Sequence, residues 1–273
     1  MQRVSLRLQQ QRKRIGVIPT MGALHEGHLS LIRAAATQND VVIVTIFVNP
    51  LQFGPQEDFA RYPRPLARDA RSAKAAGADI LCTPSAAALY PRDFQTHVDV
   101  GELAARWEGA SRPGHFRGVA TVVAILFELT HPRVAYFGQK DYQQVLVVQR
   151  LVRDLRLPLK VRMLPTVREP DGLAMSSRNA YLSAAEREQA TVLYQALSAT
   201  RERIRAGKRH AAALIEEMRR LISAAPSARI DYVTIVDAKN LAPVWRLHGR
   251  VVLLVAVWIG RTRLIDNFLV DVR

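Results

Sequence analysis

Short β-branched apolar runs alternate with stretches of helical periodicity through the first part of the chain, and no other feature restricts the fold so strongly. The apolar runs begin with Ile15, Val17 and Ile18, which stop at Pro19, and recur at 41–48, 80–82, 134–137 and 159–164. Between them lie helical stretches at 29–37, 64–76, 121–129 and 141–155. Strands that alternate with helices imply βαβ units, hence an α/β fold with a parallel sheet covered on both faces. Right-handed crossovers then place ligand-binding loops at the carboxyl ends of the strands. The unusual polar residues collect at those ends. His25 and His28 follow the first run, the sequence Asn49-Pro50-Leu51-Gln52-Phe53-Gly54 the second, and Gly138-Gln139-Lys140-Asp141 a later one.

The pattern changes around 166–178, where Pro165, Pro170, Asp171 and Gly172 break regular structure as a hinge or a tight turn. Ser183 and Glu186 form a capping-box pattern that starts a long alanine-rich helix. A second amphipathic helix covers 211–224, and strand-like runs at 230–236, 251–259 and 262–269 close the chain. Helices followed by closely spaced strands read as a small α+β domain with an antiparallel sheet. The expected division is 1–166 and 167–273, within the reach of a 273-residue chain.

Composition narrows the function class. The chain is 49% hydrophobic and 23% charged, ordinary values for a globular enzyme. Its one cysteine, Cys82, lies in an apolar run, which allows no intramolecular disulfide and suits a reducing cytosol. The N-terminal segment carries Arg3, Arg7, Arg12, Lys13 and Arg14 without the apolar run of a secretory leader, and 251–259 is too short to span a bilayer. A cytoplasmic protein with no membrane partner is expected. The net charge of +15 raises the question of nucleic acid. The arginines are spread over several helices with no interleaved aromatics and no nucleic-acid module signature, so a compositional bias is the better account, and no nucleic-acid partner is expected.

The densest chemistry is His25-Glu26-Gly27-His28. At a helix start, histidines three apart share a side. Gly27 lacks a Cβ, which leaves room for close approach by a ligand. Exposed helix N–H groups and the positive end of the macrodipole suit a polyphosphate. Imidazoles donating to phosphate oxygens would stabilise charge on a leaving pyrophosphate. A histidine pair on a helix is otherwise surface decoration or a metal pair, and zinc is not expected because no third Cys or His ligand is near. Far downstream, Met175-Ser176-Ser177-Arg178 offers two hydroxyls and a guanidinium in a mobile loop, able to wrap a triphosphate or simply to be solvated. Together the two elements resemble the HIGH and KMSKS signatures of class I aminoacyl-tRNA synthetases and related nucleotidyltransferases. That reading requires both to close on one triphosphate.

Six segments sharpen the likeness: PTMGALHEGHLSLI, FVNPLQFGPQEDFARYPR, RPGHFRGVATVV, YFGQKDYQQ, DGLAMSSRN and DYVTIVD. Running in order from Pro19 to Asp237, they resemble the pantothenate synthetase (pantoate–β-alanine ligase) family of the HxGH nucleotidyltransferase superfamily. The resemblance implies condensation of (R)-pantoate with β-alanine using ATP. Pantoyl adenylate forms with release of diphosphate, and the amine of β-alanine then displaces AMP to give pantothenate. It further implies a homodimer with a Rossmann-like N-terminal domain and a smaller C-terminal lid, and the ATP chemistry implies Mg²⁺.

By the same resemblance, Met21, Gly22, Ala23, Leu24, His25, Glu26, Gly27 and His28 match the ATP segment, with His28 as proton donor and His25 as the partner imidazole on phosphate. Gln52 matches a pantoate-binding glutamine near the β-alanine site, and Gln144 a second one. Gly138, Gln139, Lys140 and Asp141 match an ATP-binding loop. Val167, Met175, Ser176, Ser177 and Arg178 match the remaining ATP contacts. Many members carry Glu where this chain has Gln139, which weakens any charge role for that side chain.

The residue types suit these roles. Gln52 and Gln144 offer neutral donors and acceptors to a hydroxy acid. Lys140 is a compact ammonium that would counter charge as a carboxylate attacks the α-phosphorus, a catalytic part beside His25 and His28. Asp141 reads equally as a helix N-cap or as an adenosine or metal-water contact. No carboxylate cage for Mg²⁺ is visible, and Asp69 is the nearest candidate ligand. His115 either lines the site or is an ordinary loop residue. Arg112 and Arg117 either steer anionic substrates or decorate a basic surface. Two other readings remain open. A nucleotidyltransferase moving AMP or CMP onto a phosphate should show more cations beside the glutamines. A nucleic-acid-binding module requires steeply salt-dependent binding to RNA.

Overall fold

Five of the apolar runs pair as a parallel sheet in the order β3-β2-β1-β4-β5: β1 Ile15–Thr20, β2 Val41–Ile46, β3 Ile80–Cys82, β4 Val134–Gly138 and β5 Lys160–Leu164. The structure is a computed structural model describing residues 1–55 and 57–272. Gln56, part of the FVNPLQFGPQEDFARYPR segment, lies outside the described residues. The longer helices that accompany the sheet are α1 Gln2–Gln10, α2 Glu26–Ala36, α3 Leu66–Ala75, α4 His115–Thr130 and α5 Tyr142–Asp154. Ile18, Val42, Val44, Val134 and Tyr136 pack in one cluster with Leu31, Ile32 and Ala35 of α2 and Ala73 of α3. Val17, Ile43 and Ala135 are buried as completely and fall by alternation on the opposite face. Burial of both faces explains why these strands read as continuous apolar runs. The strand order reverses between β1 and β4, and the loops after these two strands carry HxGH and GQKD.

Pro19 does not end the first strand, which runs on to Thr20. It pairs with Thr45 on the β2 side, whereas pairing with β4 involves only Gly16 and Val17, so no ladder bond to β4 is lost at the proline. The fourth helix also starts earlier than its apolar pattern suggests. Gly114, at φ +81°, stops the preceding turn, and RPGHFRG continues directly into α4.

The chain forms two compact units, one holding Met1–Gln139 and Gln143–Pro165, the other Lys140–Tyr142 and the residues from Thr166 onward. In the second unit β6 Ala228–Asp237, β7 Gly249–Ile259 and β8 Thr262–Val272 make an antiparallel sheet. Helices α6 Ala184–Gln189, α7 Val192–Arg205 and α8 Ala211–Ser223 accompany it. Leu193, Leu197, Met218 and Ile222 pack with Val233, Ile235, Leu253 and Val255 in its core. The capping box at Ser183 and Glu186 forms. The long alanine-rich helix does not: it breaks at Ala190 and Thr191, where Thr191 N–H donates to Glu188 O and Leu193 N–H to Ala190 O, both at 3.3 Å, in tight i→i−3 turns. Among the described residues no helix is long and apolar enough to cross a membrane.

Candidate active site

The loop between β1 and α2 is built around a buried carboxylate. Thr20 Oγ1 donates to Thr45 O at 2.8 Å and accepts from Gly22 N–H at 3.1 Å, closing the turn. Gly22 and Ala23 then take φ +83° and +51°. The left-handed region costs a non-glycine residue about 1–2 kcal/mol. Asp69 of α3, only 1% exposed, offsets that strain: its two oxygens accept from Ala23 N–H at 2.7 Å and Leu24 N–H at 2.9 Å. The carboxylate considered for magnesium is therefore already committed to the backbone, in a place with almost no solvent access.

At the start of α2 the two histidines cap the helix. His25 is the N-cap; its Nδ1 accepts from Gly27 N–H at 3.2 Å, while His28 Nδ1 accepts from His25 N–H at 3.4 Å. Their ring centroids lie 4.1 Å apart. With Nδ1 accepting in both, each neutral ring carries its proton on Nε2, as a donor. Two sequence expectations are refined here. The first-turn N–H groups are partly taken: Gly27 N–H by the His25 imidazole, and His28 N–H by His25 O at 2.8 Å. Gly27 also makes room for His25: a Cβ there would sit 2.8 Å from His25 Cε1 and 2.9 Å from its Nδ1. Glu26 turns its carboxylate to Arg33, which holds it below the usual carboxylate range.

Gln52 belongs to the short 3-10 turn Pro50–Gln52, capped by the buried Asn49. Asn49 Oδ1 accepts from Leu51 N–H at 3.2 Å and from Tyr90 Oη–H at 2.8 Å. Its Nδ2 donates to Gly118 O and to Gln52 Oε1, both at 3.1 Å. A saturated Asn49 amide fixes the orientation of Gln52, whose Nε2 donates to Met21 Sδ at 3.0 Å. Met21 and Gln52 are thus brought together. Among the described residues, one N–H and one lone pair remain on the Gln52 amide, a match for a hydroxyl that both donates and accepts. Gly118 is required by close approach, since a Cβ would lie 2.2 Å from Leu51 O.

Behind Gln52 stand two residues whose roles the sequence left open. Arg112 is held by Glu57 at 2.8 and 2.6 Å and by Glu108 at 3.3 Å, so it is a structural cation rather than a steering one. His115 is buried, with Nδ1 2.8 Å from Gln52 O and Nε2 3.2 Å from Arg112 Nη1. Burial, then the Arg112 charge, hold its pKa down at about 4. Asn49 could have been found as an Asn-Pro helix start. Tyr90 and Glu57 carry no local signal, and nothing near Asp69 in the sequence announces its bonds to the backbone.

The remaining first-unit candidates lie at and beyond β4. Gly138 ends that strand, paired with Leu164, and Gln139 opens the 3-10 turn Gln139–Asp141. Gln144 is half-buried on α5. Its neighbour Gln143 is buried and structural, donating to Leu103 O and Arg106 O at 2.9 and 2.8 Å and accepting from Glu108 N–H at 3.1 Å.

Lys140, Asp141, Val167, Met175, Ser176, Ser177 and Arg178 belong to the second unit. Met175 N–H donates to Val167 O at 3.0 Å across a hairpin whose tip is Glu169 to Gly172. That tip is a tight turn, not a hinge: Gly172 N–H donates to Glu169 O at 2.9 Å. Ser176 Oγ accepts from Arg178 N–H at 3.2 Å and caps the 3-10 turn Ser177–Tyr181. MSSR thus leads into a hydrogen-bonded turn. Arg168, between these residues, grips Asp266 at 2.6 and 2.9 Å and lies over the Tyr194 and Phe268 rings. Asn267, next to Asp266, donates to Lys140 O at 2.9 Å. One scaffold thus carries all seven. Lys140 Nζ lies 3.5 Å from Asp141 Oδ1.

Among the described residues no three His, Cys, Asp or Glu side chains converge to hold a metal ion. The family model described as pantoate-beta-alanine ligase matches residues 1–269. A pantothenate synthetase of Moorella thermoacetica is 56% identical over 258 residues, 94% of this chain and 91% of that protein. The crystal structure of pantothenate synthetase from Thermus thermophilus matches with a TM-score of 0.92 at 50% identity, covering 94% of this chain and 93% of that one. A pantoate-beta-alanine ligase from Francisella tularensis, solved in complex with beta-gamma ATP and β-alanine, matches with a TM-score of 0.79 at 37% identity, covering 98% and 94%.

Proposed function

The chain belongs to the pantoate–β-alanine ligase family, and from that membership we propose how its residues carry out the reaction. It binds ATP and joins pantoate to β-alanine to give pantothenate. In the first step a pantoate carboxylate oxygen attacks the α-phosphorus of ATP. The new O–P bond forms as the bond to the bridging oxygen breaks, and diphosphate leaves with that electron pair. In the second step the β-alanine amine attacks the acyl carbon, forming C–N while C–O breaks, and AMP leaves as the nitrogen loses a proton.

The observation that carries the reading is the imidazole pair that caps α2, 4.1 Å between centroids. Because capping holds both Nδ1 atoms as acceptors, His25 and His28 offer Nε2–H donors to phosphate oxygens, and His28 supplies the proton. Lys140 adds a positive charge for the developing transition state. Met21, Gly22, Ala23, Leu24, Glu26 and Gly27 hold ATP beside them, Glu26 through its backbone. Gly138, Gln139, Asp141, Val167, Met175, Ser176, Ser177 and Arg178 complete the ATP contacts. Gln52 and Gln144 bind the hydroxyls of (R)-pantoate. Mg²⁺ would travel on the triphosphate and water; with no carboxylate cage among the described residues, no step here runs through it.

Two measurements test the sequence of steps. Pantoate should drive exchange of labelled diphosphate into ATP with no β-alanine present, and ¹⁸O in the pantoate carboxylate should appear in AMP. Absence of both would remove the adenylate. The reading includes a cytoplasmic homodimer, and a monomer in sedimentation at working concentrations would remove the dimer.

A further inference from the structure

We propose that His115 is a positioning residue: a neutral imidazole, protonated on Nδ1, that fixes the main chain of Gln52 and through it the pantoate site. The proposal rests on the reading of Gln52 as a pantoate ligand. His115 itself touches no substrate in this account.

The partners of the ring decide its tautomer. Gln52 O, 2.8 Å from Nδ1, can only accept, so Nδ1 must carry the hydrogen. The Arg112 guanidinium, 3.2 Å from Nε2, can only donate, so Nε2 must be bare. A second proton would set N–H against N–H beside a fixed cation. The charged groups around the ring are Arg112, Glu57 and Glu108, and both carboxylates are bonded to the guanidinium. Burial disfavours the imidazolium further, in line with the lowered pKa.

The same carbonyl accepts from Arg112 Nη2 at 3.2 Å, which fills both of its lone pairs. Gln52 is therefore held twice, its side chain by Asn49 and its main chain by the start of α4. His115 is the first residue of that helix, and its ring packs at 4.9 Å from Phe116, so the donor comes from a rigid element. Losing it releases the turn against which the Gln52 amide is aimed. A misplacement of about 1 Å in a substrate-positioning group costs on the order of 100-fold in rate.

The test is the pantoate dependence of ATP–diphosphate exchange, measured without β-alanine so that only the first half-reaction is read. His115→Phe should raise the pantoate KM by about 10- to 100-fold while the ATP KM holds. His115→Asn, whose amide N–H can stand in for Nδ1–H, should recover most of the loss. Equal changes in both KM values, or equal defects in the Phe and Asn variants, would overturn the proposal. Gln52→Ala separates it from its premise. If Gln52→Ala raises the pantoate KM and His115→Phe does not, the positioning role alone fails. If Gln52→Ala changes nothing, the pantoate reading of Gln52 falls and takes the proposal with it. Should His115→Phe not fold, long-range ¹H–¹⁵N correlation on the wild-type protein decides, with the His115 signal assigned by its loss in His115→Asn. Nδ1 protonated with Nε2 bare at neutral pH supports the proposal, and any other pattern overturns it.

Discussion

Replacing Asp69 by alanine should dismantle the approach to α2 without touching either histidine. The carboxylate is 1% exposed and accepts two backbone N–H groups, at 2.7 and 2.9 Å. Hydrogen bonds to a charged group contribute about 1.5–3 kcal/mol each, so the pair holds the loop with about 3–6 kcal/mol. Ala23 sits at φ +51°, a conformation it leaves with a gain of about 1–2 kcal/mol once nothing holds it. Asp69→Ala removes both acceptors, strands two buried donors and frees that strain. The loop should then open locally before the molecule unfolds. Hydrogen exchange at the Ala23 and Leu24 amides should quicken by about 100-fold or more, the factor that about 3 kcal/mol sets. Adenylation should fall with it, because His25 hangs directly on Leu24. Asp69→Asn keeps the shape but turns one acceptor into a donor facing an N–H, so it should recover little. Exchange at both amides within tenfold of wild type in Asp69→Ala, with urea stability within about 1 kcal/mol, would refute the assignment.

His28→Ala should lower single-turnover adenylation by about two to four orders of magnitude, the range for losing an oriented acid or donor; an unchanged rate would remove its role. Gly118→Ala should cost about 1–3 kcal/mol and raise the pantoate KM, since its Cβ would meet Leu51 O at 2.2 Å and Gln52 N at 2.7 Å, both backbone atoms that can yield only by moving the turn; melting temperature and exchange kinetics read both. Acid should weaken the protein through His115. Its pKa falls from 6.5 to about 4 on folding, so between those values the unfolded chain takes up a proton that the native state refuses, and stability falls as pH falls. At about 1.4 kcal/mol per tenfold in proton affinity, the whole fall is worth about 3 kcal/mol. Denaturant unfolding should therefore show the wild-type advantage over His115→Asn shrinking from pH 7 to pH 4; a constant gap would contradict it.

What the sequence disclosed and what it withheld divide by how far apart interacting residues lie along the chain. Strand alternation, the Ser183–Glu186 capping box and the HxGH pair act over a few residues, and all three are legible as patterns. Asp69 with Ala23, Tyr90 with Asn49, Arg112 with Glu57 and Asn267 with Lys140 act across 41 to 127 positions, and no local spacing announces them. Asp69 and Arg112 drew attention for the wrong chemistry, because an isolated carboxylate or guanidinium reads as available until its partner is known. Gly27 shows the limit most sharply, because the neighbour that requires it is a side chain two residues away. An N-cap serine would tolerate any neighbour in the first turn, but an imidazole in that place fills the volume where the Cβ of residue 27 would go. Serine and glutamate would cap this helix without demanding a glycine, which is itself a weak helix former, less favourable than alanine by about 0.8–1 kcal/mol. Capping alone therefore does not call for two histidines and the glycine they require. On the proposed reading the two Nε2–H donors face ATP, and the cap is what holds them in place.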